Sequence, residues 1–352
     1  MKLIELLNWN DIADEYNHTL LIGNGASISI SPNFNYKSLF LSAKSSGLIL
    51  EEVDKLFEFF ETNDFEHILR MISNAGAVNK ALDIKDDKTK RIYGLIRTAL
   101  IQVVGQIHVT YDIAYPEIPK IAKFLERFET IFSLNYDLIL YWVLLWANQF
   151  GTKKYFKDCF INGHFKEDWQ WLRKPYYRKE SILVFYPHGN LAIATNLNGE
   201  TVKIERVEKS IQIGKSALFA RLSKNLLQSI QDAWVSERCF SLFVSEGDNV
   251  QKLRAIQRNG YLNAVYESAL PEKSRTLVIY GWSMSENDNH ILSKLVSGQP
   301  KKIAVSIYKT EDWEDKAFEM RKRLLNTYKQ KFMNPPDEIV FYDSTSEGCW
   351  KN

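Results

Sequence analysis

Six short apolar runs, at 19–22, 130–134, 182–186, 239–244, 276–280 and 303–308, constrain this chain more than any other feature. Each is nearly continuous in apolar residues instead of alternating, the pattern of a strand covered on both faces. Helical patterns at 137–148, 248–269, 288–296 and 312–328 lie between most of them. A strand that leads into a helix returns parallel to where it started, so the alternation predicts an α/β fold. The expected architecture is a Rossmann-like, mostly parallel sheet with helices on both faces. One span breaks the alternation. From 36 to 127 the chain shows helical periodicity alone, with Leu39, Phe40, Val53, Leu56, Phe57, Phe60, Ile68, Leu69, Ile92, Leu95, Ile96 and Leu100 as expected buried positions. This reads as a large helical module (36–127) inserted after the first strand, with 1–35 and 128–352 forming the sheet domain.

Composition narrows the partners. The chain has 352 residues, 45% of them hydrophobic, which excludes disorder and fibrous folds. Its 45 Lys and Arg stand against 43 Asp and Glu, so a net charge of +2 supplies no global field for a polyanion. Any nucleic-acid contact would have to be a local patch. The candidate patch is 150–181, where Lys153, Lys154, Lys166, Arg173, Lys174, Arg178 and Lys179 are interleaved with Trp169, Trp171, Tyr176 and Tyr177. Such a mixture can stack on bases; without global basicity it reads instead as a cover over the sheet edge with its cations in water, and nucleic acid is not an expected partner. Cys159, Cys239 and Cys349 lack the paired spacing of a zinc site, so no metal is expected. The first ten residues carry no signal-peptide pattern, and the longest apolar stretch, 138–147, is too short to cross a bilayer. A cytoplasmic protein with no membrane partner is expected.

The chemistry is concentrated where the apolar runs end. Leu20-Leu21-Ile22 runs into Gly23-Asn24-Gly25-Ala26-Ser27, a turn in which glycines allow close backbone approach and the amides ahead favour a phosphate. By itself this could be a structural tight turn. A dehydrogenase would also need a third glycine and an acidic residue at the end of a second strand, which this segment lacks. Phe132-Ser133-Leu134 ends in Asn135-Tyr136-Asp137: Asn135 could hold a sugar hydroxyl or a water, and Asp137 could cap the helix that follows. Val184-Phe185-Tyr186 ends in Pro187-His188-Gly189-Asn190, which puts an imidazole at a turn, where it suits a general base. The other histidines, His18, His67, His108, His164 and His290, have weaker contexts. Ser245, Glu246 and Gly247 follow Phe243-Val244, and Gly281-Trp282-Ser283 with Asp288 follow Ile279-Tyr280. Loops of small hydroxyl residues and glycine at strand ends suit ribose and phosphate groups.

These strings, in this order, resemble the sirtuin superfamily. The matches are Gly23, Gly25, Ala26 and Ser27; Asn135 with Asp137; His188 with Gly189; Ser245; and Gly281, Ser283 and Asp288. More closely, Leu-Ile-Gly-Asn-Gly-Ala-Ser, Asn-Tyr-Asp-Leu, Pro-His-Gly-Asn-Leu, Val-Ser-Glu-Gly and Tyr-Gly-Trp-Ser are similar to a bacterial domain family of unknown function within that superfamily. The likeness spans roughly residues 19–308. Sirtuin deacylases carry a four-cysteine zinc module that this sequence cannot supply, which argues against deacylation. The resemblance therefore implies the activity of zinc-free bacterial relatives that hydrolyse NAD as antiviral effectors. It implies His188 as base toward a ribose hydroxyl or the attacking water, Asn135 as the group orienting them, and Asp137 holding the Asn135 loop or touching ribose. It also implies Gly23, Asn24, Gly25, Ala26 and Ser27 around the pyrophosphate, Ser245, Gly281 and Ser283 against the adenosine half, Glu246 among the residues that bind NAD, and Asp288 either reaching a ribose or capping its helix. Such an activity must be restrained in a growing cell, so an activating protein partner or a homo-oligomer is expected. The alternative is a sensor that binds NAD, ADP-ribose or a related nucleotide without turnover.

Overall fold

The structure, a computed structural model, describes residues 4–35, 38–151, 154–174, 180–196, 199–204, 226–236, 239–244 and 248–352. Its strands are β1 (Leu6–Leu7), β2 (Thr19–Ile22), β3 (Thr130–Ser133), β4 (Tyr155–Lys157), β5 (Phe160–Ile161), β6 (His164–Phe165), β7 (Ser181–Phe185), β8 (Gly189–Asn196), β9 (Thr201–Lys203), β10 (Cys239–Phe243), β11 (Thr276–Tyr280), β12 (Lys302–Ile307) and β13 (Glu338–Asp343). Among the described residues eight of them form one sheet in the order β1-β13-β12-β11-β2-β3-β7-β4, with every neighbouring pair parallel. Every residue of β2, β3, β7 and β11 is buried, which is why these segments read as unbroken apolar runs. Helices flank the sheet, and the fold is Rossmann-like α/β.

The order of the strands decides where a ligand can sit. From β2 the chain passes to β3, out to β4 at the sheet edge and back to β7 between them; it returns on the other side of β2 at β11 and proceeds outward through β12 and β13. Loops from β2 and β11 therefore leave the sheet in opposite directions, and the gap at their C-terminal ends is the switch point at which open α/β sheets bind ligands. The register places Tyr280 beside Ile22 and Ile22 beside Ser133, so the loops that follow β11, β2 and β3 emerge level with one another.

Between β2 and β3 the described residues are helical, including Leu39–Ser45, Glu51–Phe59, Phe65–Ala81, Asp87–Ile107 and Ile118–Leu125. Helix Asp87–Ile107 turns Ile92, Ile96, Ala99, Leu100, Val103, Val104 and Ile107 inward, which accounts for its apolar stripe.

One apolar run went elsewhere. β10 does not join the parallel sheet; it pairs antiparallel with β8 in a second sheet of order β10-β8-β9-β6-β5. A continuous run reports burial on both faces and is silent on which sheet supplies the neighbours. The two sheets are joined where β7 ends, since Tyr186, Pro187 and His188 alone separate β7 from β8. Within 150–181, Trp169 is buried edge-on against Phe185, and Arg173 lies over the Trp169 ring while pairing with Glu272. Trp171 is exposed, and Lys153, Tyr176, Tyr177, Arg178 and Lys179 lie outside the described residues.

Candidate active-site cleft

The loops after β2 and β11 are stitched together by their backbones. Gly23 N–H donates to Tyr280 O at 2.9 Å and Gly25 N–H to Gly281 O at 2.7 Å. Gly281 has φ +66°, and a Cβ there would lie 2.5 Å from the Ala26 nitrogen; a Cβ on Gly23 would lie 2.6 Å from that of Trp282. The glycines thus serve the approach of loop to loop. Ala26 N–H donates to Gly23 O. The amides of Gly23, Gly25 and Ala26, expected to face a phosphate, are therefore engaged within the fold, and the helix they open, Gly25–Ile28, is a single turn. The Asn24 side chain donates to Phe34 O at 2.9 Å and anchors the same turn from outside.

The loop after β3 is tied to this turn by a buried polar chain. The Asn135 amide donates to Gly23 O at 3.1 Å and to Ser27 Oγ at 2.8 Å, and Ser27 Oγ donates in turn to the Asp137 carboxylate. Both amide hydrogens of Asn135 are thereby used, which leaves its Oδ1, an acceptor, as the side-chain atom available to the cleft. The other Asp137 oxygen accepts from Ile139 N–H at 2.8 Å, at the start of helix Ile139–Phe150, and Asn190 donates to Asp137 O at 2.6 Å. Asp137 is buried and its carboxylate is committed to holding this loop. Removing the Ser27 hydroxyl strips a donor from Asp137 and an acceptor from Asn135. Ser27→Ala is expected to cost about 1–3 kcal/mol, read as a lower urea midpoint at unchanged slope; an unshifted midpoint would contradict this chain.

His188 lies on the opposite wall, in the turn from β7 to β8. Its ring is buried, with Nε2 3.1 Å from Nε2 of His290 and 3.9 Å from Asp288 Oδ1. Lys252, itself buried, donates to the same Asp288 oxygen at 2.8 Å. Burial pushes the imidazole of His188 down to about 3 and that of His290 down to about 4, against the pull of Asp288. Burial would raise the Asp288 carboxyl, but its electrostatic interactions with the neighbouring His188 imidazole and with the hydrogen-bonded Lys252 ammonium prevail and hold it below the usual value, the ammonium being the one positive charge of the group at neutral pH. At neutral pH both rings are therefore uncharged, and the charges here are one ammonium facing one carboxylate. The donor atoms of His188, Asp288 and His290 fall within 4.8 Å of one another, close enough to share a divalent cation, though the Lys252 ammonium already holds Asp288 Oδ1.

These walls enclose one cleft of about 430 Å3 lined by Gly23, Asn24, Gly25, Asn135, Asp137, His188, Lys252, Gly281, Ser283 and Asp288, with Phe34, Tyr136 and Trp282 as apolar surface. A second hollow of about 610 Å3 adjoins it and shares Gly25, Ile28, Gly281, Trp282 and Ser283; it runs on past the ends of β12 and β13 to Ser306, Tyr308, Ser344 and Thr345. Of the site residues singled out from the sequence, nine reach the first cleft. Ala26 and Ser27 are buried behind its wall, and Ser245 and Glu246 lie outside the described residues. Sequence reasoning missed Lys252, His290 and Asn249. For His290 there was a signal in Asn287-Asp288-Asn289-His290, a dense polar cluster at a helix start after a strand. For Lys252 there was none, because a helical lysine reads as solvated.

A family model described as Domain of unknown function (DUF4917) matches residues 20–350. No curated protein matches the chain.

Proposed function

The chain belongs to the DUF4917 domain family, and we propose that it binds NAD across the two adjoining hollows and hydrolyses the bond between nicotinamide and ribose, releasing nicotinamide and ADP-ribose. The observation that carries this reading is the convergence of loops from 23–25, 135–137, 188 and 281–288 on one cleft at the switch point of a parallel sheet. A ligand with two nucleoside halves suits two hollows that share a wall. The nicotinamide ribose would occupy the first, beside Asn135 and His188. The adenosine half would occupy the second, beside Ser306, Tyr308 and Thr345, and Ser283 at their border would meet the pyrophosphate.

The chemistry asks little acid strength of the protein. The bond from ribose C1′ to the nicotinamide nitrogen breaks with its electron pair going to nitrogen, so a cationic leaving group departs neutral and positive charge develops on the sugar. Water then bonds to C1′ and gives up a proton. Asn135 Oδ1 accepts from the water or a ribose hydroxyl and orients it, and His188 takes the proton. Because the sugar is nearly a full cation when water adds, a weakly basic, neutral imidazole suffices, and most of the rate comes from position and shielding. The expected role is a triggered antiviral effector.

The low basicity of His188 also favours a second reading, a sensor that binds NAD, ADP-ribose or a related nucleotide without turnover. Chromatography of NAD incubated with the full chain, together with calorimetric titration, separates the two. Nicotinamide and ADP-ribose appearing in equal amounts support hydrolysis; saturable heat with unchanged NAD supports the sensor; neither heat nor product removes both.

A further inference from the structure

We propose that His290 and Asn249 are positioning residues that fix the tautomer of His188, leaving Nδ1 of His188 as a bare proton acceptor for the cleft. The argument starts from Asn249. Its Oδ1 accepts from the backbone N–H of His290 at 2.7 Å, and an atom that accepts from a backbone N–H is the carbonyl end of the amide. The same oxygen lies 2.8 Å from His290 Nδ1, so that nitrogen carries the proton. In a neutral ring the other nitrogen, Nε2, is then bare. It faces His188 Nε2 at 3.1 Å, and two bare nitrogens cannot hydrogen-bond, so His188 Nε2 carries the second proton and donates it.

The proton order is therefore His188 Nε2–H to His290 Nε2, and His290 Nδ1–H to Asn249 Oδ1, which leaves His188 Nδ1 unprotonated. No hydrogen bond among the described residues engages that nitrogen, and His188 lines the cleft. Asp288 does not set this order. At 3.9 Å it is beyond hydrogen-bond reach of His188 Nε2, and Lys252 holds its oxygen. It contributes instead a negative charge that would stabilise an imidazolium formed on His188. A neutral amide thus takes the place that a carboxylate holds in the familiar carboxylate–histidine arrangement, which keeps the pair uncharged in its buried setting.

The functional meaning rests on the reading of the cleft as catalytic; the tautomers do not, and nitrogen NMR reads them without turnover. The experiment uses the full chain with 15N-labelled histidine, treated with chelator, and long-range proton–nitrogen correlation. His188 is expected as the Nε2–H form and His290 as the Nδ1–H form. Asn249→Leu removes the terminal acceptor, so His290 should revert to Nε2–H and His188 be driven to Nδ1–H, while Asn249→Asp, which restores an acceptor, should return both to the parent forms. In the hydrolysis assay Asn249→Leu is expected to lower kcat about tenfold with little change in KM. An Nε2–H signal for His290 in the parent, or unchanged tautomers in Asn249→Leu, overturns the proposal. So does stoichiometric Zn2+ uptake that shifts the Nε2 signals of both rings, since a metal ion would replace the shared proton. Parent tautomers as expected in a protein that never cleaves NAD leave the inference standing and remove the hydrolase reading.

Discussion

Gly189→Ala is expected to lower the stability of the whole chain by about 4 kcal/mol or more, at the exceptional end for a single substitution. Gly189 has φ +77°, a conformation that costs an L side chain about 1–2 kcal/mol by itself. The larger share comes from space. A Cβ at this position would lie 1.9 Å from Leu242 O, 2.6 Å from Leu242 C and 2.9 Å from Phe243 Cα. All three are backbone atoms, so no rotamer change relieves the contact. Gly189 pairs directly with Phe243 in the β8–β10 ladder, and Val244 N–H donates to His188 O at 2.7 Å. Accommodating the methyl group means prising β10 from β8 and loosening the turn that presents His188. Gly47→Ala is the matched control, because Gly47 has φ +69° and nothing within 4 Å of its Cβ position. It should cost about 1 kcal/mol, so the difference between the two midpoints in urea isolates the steric part. A Gly189→Ala protein as stable as Gly47→Ala would show that the two strands do not meet as closely as described.

The sheet was legible in the sequence and the site was legible in part, for one reason. Strands buried on both faces must be apolar throughout, so β2, β3, β7, β11 and β12 announce themselves, and ligands gather at their C-terminal ends. Gly23, Asn135, His188 and Gly281 could be picked out on that rule. The rule says nothing of what a glycine is near. Gly23, Gly25 and Gly281 look like places where a backbone meets a phosphate, yet what approaches them is the neighbouring loop. The second sheet was hidden for a similar reason: the apolar stretch of β8, Gly189–Asn196, is only Leu191-Ala192-Ile193-Ala194, half of it alanine and flanked by Asn190 and Thr195, although the first six residues of the strand are buried. Lys252 and His290 come from helices that sit far along the chain, and a helical position faces inward or outward according to packing that one sequence does not display.

His188→Ala should reduce hydrolysis of NAD by about a hundredfold or more, the usual loss on removing a general base, equivalent to about 2.7 kcal/mol of barrier. The loss should fall on kcat with KM little changed, because the imidazole accepts a proton during the reaction and contributes little to holding the dinucleotide. Asn135→Ala should behave differently. Its Oδ1 would orient the water or ribose, but its amide also ties Gly23 O to Ser27 Oγ, so truncation relaxes the wall of the cleft as well. A fall in kcat, a rise in KM and a modest drop in urea midpoint are expected together. Asp137→Asn tests the third member: Asp137 accepts from Ser27 and from the helix start and acts through the Asn135 loop. It should therefore follow Asn135→Ala in pattern and show none of the pure kcat loss of His188→Ala. If His188→Ala cleaves NAD as fast as the parent, the proton acceptor lies elsewhere in the cleft and the imidazole pair belongs to its architecture.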